Sequence, residues 1–403
     1  MHPRVTLSTG NFFFSLCSSL IAYIPLSYLA SFMPPAYTGL VIAGGAIFAL
    51  ISFPFLPKLV ARYGAQKLAL IFAVAEMLVL LALAIAPGTF AISILIALAI
   101  SIQPLLSYEL DLLLEATVAE ESTTGRVRTI FLTAWNVASI VAPLFVGVLL
   151  MNSDAYGRVF LAAAAALVPF IALFAIRRLP HGAPVATSTM RDALVCIMHD
   201  RDLAAVTLGH LILYLFYVWA PLYIPIYLHN VLGIPWSNLG WTFSVMLIPY
   251  VLIEYPAGWI ADRILGDKEL MITGFLIAGM ALASVSLLTS TSPIFLILCI
   301  LISSRIGAAL IESMNEGHFF RRVTERDINS VNIFRGVWPL ADTIGPIIGS
   351  LILLFGNYQI LFAVTGGFVG IMGVVVTLLI KDFNPPMRSI RQLSSRVLLS
   401  EGL

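Results

Sequence analysis

The chain has 403 residues, 60% of them apolar and 11% charged, with a formal charge of +1 and a mean hydropathy of +0.99. Ordinary soluble domains are about 45–50% apolar and about 25% charged, so this composition excludes a soluble enzyme and an intrinsically disordered chain. The near-zero net charge provides no global field to gather nucleic acid.

A helix needs roughly 20 apolar residues to cross a bilayer, which leaves room for around twelve spans. Apolar runs separated by charged or turn-forming residues predict them near 10–32, 38–57, 66–87, 89–114, 128–151, 157–177, 203–229, 238–261, 270–290, 293–316, 331–355 and 358–380. The run after the short N-terminus lacks a small-residue cleavage site and reads as a permanent first span. The longest polar stretch, 179–202, reads as a cytoplasmic linker between two halves, 1–178 and 203–384. The tail 385–403 places Met387, Ile390, Leu393 and Val397 at helical spacing beside Arg388, Arg391 and Arg396. It reads equally as a helix on the inner leaflet or as a solvated basic tail.

All but two of the 22 Lys and Arg residues fall on one side of these spans. The exceptions are Arg158, in an opposite loop, and Arg305, inside a span. Positive charge accumulates on the cytoplasmic side, so both termini are expected there, in the plasma or inner membrane. Cys17, Cys196 and Cys299 form no CxxC or Cys/His cluster, which predicts neither disulfide nor metal. No nucleotide-binding run GxxxxGK[ST] occurs, nor HExxH or GxSxG. Neither a cofactor nor enzyme chemistry is expected.

The chain repeats itself at half its length. YIPLSYL starts at Tyr23 and YIPIYL at Tyr223, and each holds a proline that bends a helix. Arg62 and Lys67 match Arg263 and Lys268 at an offset of 201 residues. Glu109, Phe131, Trp135 and Pro143 match Glu312, Phe334, Trp338 and Pro346 at an offset of 203. Six spans duplicated in the same orientation give an all-α membrane protein of twelve transmembrane helices in two pseudo-symmetric six-helix bundles. In that plan cargo sits between the halves near the midplane.

The loop after the eighth predicted span reads GWIADRILGDK from Gly258. It resembles the loop signature G-x-x-x-D-R/K-x-x-G-x-R/K of the major facilitator superfamily, which Gly258, Asp262, Arg263, Gly266 and Lys268 match. The resemblance implies a gating role. Gly258 would let helices approach closely. Asp262 would face the N-terminal end of span five, where Arg126 and Arg128 stand, and latch the cytoplasmic side. The first-half copy has Pro57 and Ala61 in place of the glycine and the aspartate, which predicts unequal gating. Around Pro143 and Pro346 the sequence resembles, in relaxed form, the proline-glycine run of family exporters.

A charge at the bilayer centre costs about 2.5–3.5 kcal/mol on insertion scales, so charges kept there face a wet cavity or a partner. They are Glu76, Glu109, Asp111, Glu254, Arg305, Glu312, Glu316 and Asp342. A carboxyl in low dielectric can load and release a proton near neutral pH. The repeat makes Glu109 and Glu312 the foremost proton-coupling residues, with Asp111 and Glu254 beside them. Arg305 is suited to an anionic group of cargo or to an ion pair with Glu254. Tyr23, Tyr28, Trp135, Tyr223, Tyr227 and Trp338 are expected to line an aromatic cavity, or in part to sit at the interface. Glu316 and His318 read as a solvated cytoplasmic face, and His210 as a hydrogen-bonded core residue.

The sequence thus predicts a secondary transporter of a small organic solute, most simply a monomer among membrane lipids. Proton antiport for export leads. Proton symport for uptake of a sugar or organic anion is the alternative, and a non-transporting receptor or scaffold is the rival of another class.

Overall fold

The computed structural model describes residues 3–117, 121–179, 190–263, 265–323 and 328–381. The predicted tail, 385–403, lies outside them. The described residues contain no strand and twelve helical segments long and apolar enough to span a membrane. These are Arg4–Ala30, Pro35–Tyr63, Ala65–Ile85, Thr89–Leu114, Phe131–Leu150 and Tyr156–Ile176 in the first half. Arg201–Val231, Trp236–Ile253, Asp267–Leu287, Ile294–Arg322, Gly336–Phe355 and Tyr358–Leu378 form the second. They are spans one to twelve below.

Span one begins earlier than hydropathy predicts. Thr6, Asn11 and Ser15 lie on its first turns, yet they are buried inside the bundle. Asn11 donates to the carbonyl of Phe131 at 2.9 Å, which offsets the cost of burying its amide. The expected bend is a full break: one helix ends at Ile21 and the next starts at Pro25. Pro25 has no N–H for the Ile21 carbonyl, and its ring would collide with it. In span seven the matching Pro225, with Pro221 one turn before it, stays inside the helix Arg201–Ile226, and a π-type turn follows over Tyr227–Val231. The repeat is therefore imperfect at its best-matched place.

The stretch expected as a bare linker holds a helix, Met190–His199. Asp200 then caps span seven, its Oδ1 accepting from the backbone N–H of Asp202 at 2.9 Å.

Within the first half, span one packs against spans four, five and six, and span three against four and six. Within the second, span nine packs against ten and twelve, and span seven against ten, eleven and twelve. The halves meet through span two on span eleven and span five on span eight. Large apolar side chains such as Ile85, Phe90, Leu287 and Phe355 point outward. That suits a lipid solvent, which has no hydrophobic penalty to impose on them.

Candidate functional site

Arg305 sits at mid-helix in span ten and is 3% exposed. Its guanidinium carbon lies 5.3 Å from the ring centroid of Phe216, a cation–π distance. The phenols of Tyr250 on span eight, Tyr23 on span one and Tyr217 on span seven act on its charge. Its Nε has no hydrogen-bond partner. Two turns along the same helix, Glu312 is half-buried and its Oε2 accepts from the Tyr217 hydroxyl at 2.6 Å. Tyr217 packs against Tyr250 at a ring separation of 6.2 Å. One tyrosine pair therefore connects the buried base to the acid, and Tyr23 brings the first half to the same place. Tyr23 also stacks on Phe243 of span eight, with centroids 5.1 Å apart.

The first half lacks this arrangement. Glu109 is completely buried, and neither carboxyl oxygen has a hydrogen-bond partner. At the repeat position of Arg305 stands Ile102, and at that of Tyr217 stands Cys17. Glu109 and Glu312 thus share a register but not an environment. Asp111 lies on the exposed face of span four.

The predicted cavity aromatics divide. Tyr223 is buried and donates to the carbonyl of Pro346 on span eleven at 3.2 Å. Tyr227 donates to the Leu288 carbonyl at 2.8 Å and packs on Tyr358 and Phe362, inside its own half. Tyr28 packs on Tyr156 and Phe160 of span six. Trp135 packs near Phe14, and the partly exposed Trp338 near Tyr214. His210 stacks face to face on Phe334 at 3.8 Å, and its Nδ1 has no hydrogen-bond partner.

At the end remote from the termini the halves are closed together. A Cβ on Gly240 of span eight would lie 2.6 Å from the Gly147 Cα and the Pro143 carbonyl oxygen of span five. A Cβ on Gly39 of span two would lie 2.5 Å from the Ser350 hydroxyl of span eleven. Only glycine permits such approaches. The N–H of Ser237 donates to the Met151 carbonyl at 3.1 Å. His229 Nε2 reaches Asp154 Oδ1 at 2.8 Å, while its Nδ1 lies 2.8 Å from the Ile234 carbonyl.

Of the predicted gating residues, Gly266 precedes span nine, and its N–H donates to Glu269 Oε2 at 3.0 Å. Lys268 Nζ donates to the Ile380 carbonyl at 3.0 Å. A Cβ on Gly258 would meet nothing within 4 Å among the described residues. The side chains of Asp262, Arg263, Arg128 and Glu254 lie outside the described residues.

His318 is buried, not solvated as expected. Its Nε2 lies 3.1 Å from Asp202 Oδ2 and its Nδ1 3.4 Å from Asp267 Oδ2. Arg322 Nη2 reaches Asp202 at 2.7 Å, and Arg321 pairs with Asp267. The Lys381 N–H donates to Asp202 Oδ1 at 2.6 Å. These contacts tie spans seven, nine and ten and the end of span twelve. Sequence reading missed them because their residues stand at helix ends, where charge passes for solvated. The one signal was an Asp at the start of two spans opposite paired arginines at the end of a third.

No group of three or more His, Cys, Asp or Glu among the described residues is placed to hold a metal. A family model described as Major Facilitator Superfamily matches residues 7–311 and 206–400. Among solved structures, a point mutant of the nucleoside transporter NupG is similar at 15% identity and a TM-score of 0.75, covering 94% of this chain and 100% of that one. The peptide transporter POT in complex with sulfate is similar at 14% identity and a TM-score of 0.72, covering 94% of each chain. No match to a curated protein was found.

Proposed function

The chain belongs to the major facilitator superfamily, and from that premise we propose that it moves a small organic solute by alternating access, coupled to protons. It is a multi-pass membrane transporter by family and fold. The observation that carries the finer reading is Arg305, buried with a free Nε among Tyr23, Tyr217 and Tyr250, with Glu312 on the same phenol system. A guanidinium in low dielectric recognises an anionic or strongly polar group of cargo. A carboxyl within the same network supplies a proton site whose occupancy responds to that cargo. The glycine-packed end around Gly240 and Gly39 is read as the closed mouth. The basic bias supports cytoplasmic termini in a plasma or inner membrane, which puts the closed mouth on the far side.

Two directions remain in the proposal. Export by proton antiport follows from the relaxed proline-glycine run near Pro143 and Pro346. Uptake by symport is favoured by the connection of Arg305 to Glu312 through Tyr250 and Tyr217, since cargo and proton then bind as one unit. The transporter is read as a monomer in lipid.

Protein reconstituted in liposomes with an internal pH dye tests the proposal against a panel of organic anions, sugars, nucleosides and peptides. Cargo-dependent alkalinisation or acidification of the lumen supports coupling, and its sign gives the direction. Cargo uptake with no proton movement for any member removes it.

A further inference from the structure

The first half contains an acid that neither the repeat nor the central cluster uses. Glu76, in the middle of span three, is completely buried. Gln103 Nε2 donates to its Oε1 at 3.3 Å, and its Oε2 has no hydrogen-bond partner. Gln103 Oε1 in turn accepts from the Ser18 hydroxyl of span one at 2.9 Å. Cys17 on span one is the other group within electrostatic reach. No basic side chain acts on Glu76 among the described residues. Span six, packed along span three, has no titratable residue between Arg158 and Arg177. On span four, Glu109 follows Gln103 by six residues, about 9 Å along the axis.

A buried carboxylate with no cation costs several kcal/mol. A structural role would be served more cheaply by an amide or a leucine. The partners here are of a special kind. An amide has a donor end and an acceptor end, and rotating it by about 180° exchanges them. With Glu76 ionised, Gln103 donates to the carboxylate and accepts from Ser18, as observed. With Glu76 protonated, the acid O–H donates to Gln103 Oε1, and the rotated amide donates to Ser18 Oγ. Both states satisfy the chain of hydrogen bonds, and they differ in the direction of the Ser18 hydroxyl.

We propose that Glu76 is a reversible proton-binding site of the first half, with Gln103 as its switching partner and Ser18 as its link to span one. One proton is taken from water by the carboxylate and returned to water, and no other bond is made or broken. Span one is also the helix that carries Tyr23 to Arg305, and Ser19 beside Ser18 lies 3.1 Å from Ser139 of span five. Protonation of Glu76 is thereby reported to a helix that touches both the central site and a gating span. Neither Glu109 nor Glu312 takes part.

The test is infrared difference spectroscopy of the full chain in vesicles, without cargo, as pH is stepped from about 4 to about 9. The expected result is a carboxylic-acid C=O band that appears with acid, is lost in Glu76→Gln, and moves to higher frequency in Gln103→Leu, where its hydrogen bond is gone. Identical difference spectra for wild type and Glu76→Gln overturn the site, as does a Glu76 band that never responds to pH. If Glu76→Gln does not fold, a band unmoved in Gln103→Leu overturns it instead. No cargo enters the experiment, so its failure is separate from failure of the transport reading.

Discussion

His229 and Asp154 join the two halves across the closed end: the imidazole Nε2 of span seven lies 2.8 Å from the carboxylate of the turn between spans five and six. His229 is 16% exposed on its side chain and Asp154 61%. Its Nε2 faces the carboxylate and its Nδ1 the Ile234 carbonyl, both of them acceptors. An exposed pair of this kind contributes at most about 1 kcal/mol to stability. A shift of that size is still enough to move a two-state equilibrium several-fold. Asp154→Ala should leave the melting temperature nearly unchanged and enlarge the population open at this end. Spin labels on the exposed loop residues Pro87 and Thr291 would report it as a longer inter-label distance. An unchanged distance distribution removes the pair from gating.

Gly240 sets a harder limit on the same closure. A Cβ there would lie 2.6 Å from the backbone of Gly147 and Pro143, and no side-chain rotation relieves a contact with backbone. Overpacking of this type costs about 1–3 kcal/mol. Only the closed state experiences it, because spans five and eight belong to different halves. Gly240→Val should therefore fold, hold the mouth open and abolish turnover, while binding from the now open side persists. If transport continues at the wild-type rate, the glycine contact is not the seal.

Much of this was legible in the sequence. Twelve spans, their duplication and the family could be read from hydropathy, from the 203-residue offset and from the Gly258–Lys268 run. What failed was equivalence. The offset pairs Glu109 with Glu312 but carries no information on whether a Tyr217 stands opposite, and in the first half Cys17 occupies that position. Tyr28 and Tyr227 match the aromatic pattern of a cavity wall, yet they pack within their own halves, because an aromatic stripe on a helix does not say which neighbour it faces. His318 and Asp202 were hidden for a related reason. Charge at a helix end signals solvent unless the partner helix, far away in sequence, is known to bring the opposite charge.

That ionic cluster gives a stability prediction. Asp202 is 1% exposed and accepts from His318, Arg322 and the Lys381 backbone. Removing one partner of a buried pair leaves the others uncompensated, at a cost of about 3–5 kcal/mol. Asp202→Ala should lower the melting temperature sharply. Arg321→Ala, whose side chain is 39% exposed, should cost about 1 kcal/mol or less. A thermal-shift assay on the purified variants compares the two. Equal, small effects would show that the cluster does not brace the second half.

Tyr217 offers a test of proton coupling that spares both charges. Its hydroxyl donates to Glu312 at 2.6 Å, and a hydrogen bond to a charged group contributes roughly 1.5–3 kcal/mol. Tyr217→Phe keeps the ring against Tyr250 and Tyr214 and deletes only the donor. The expected outcome is cargo exchange at near the wild-type rate, with the proton-to-cargo ratio reduced. Glu312→Gln should behave similarly. A ratio unchanged in both variants eliminates this acid as the carrier.

Arg305 separates recognition from structure. Its buried Nε is unpartnered while its charge rests on Phe216 and the phenols around it, so part of its hydrogen-bonding capacity is unused. Lysine in its place keeps the charge and loses the planar fork that grips an anionic group. Arg305→Lys should raise KM for the transported solute by about tenfold, the equivalent of about 1.4 kcal/mol. Arg305→Gln should abolish saturable uptake. Both variants should melt within a few degrees of wild type. A purely structural arginine predicts the reverse: lowered melting temperatures and an unchanged KM for the fraction that folds. Measuring KM and thermal stability on the same preparations decides between the two.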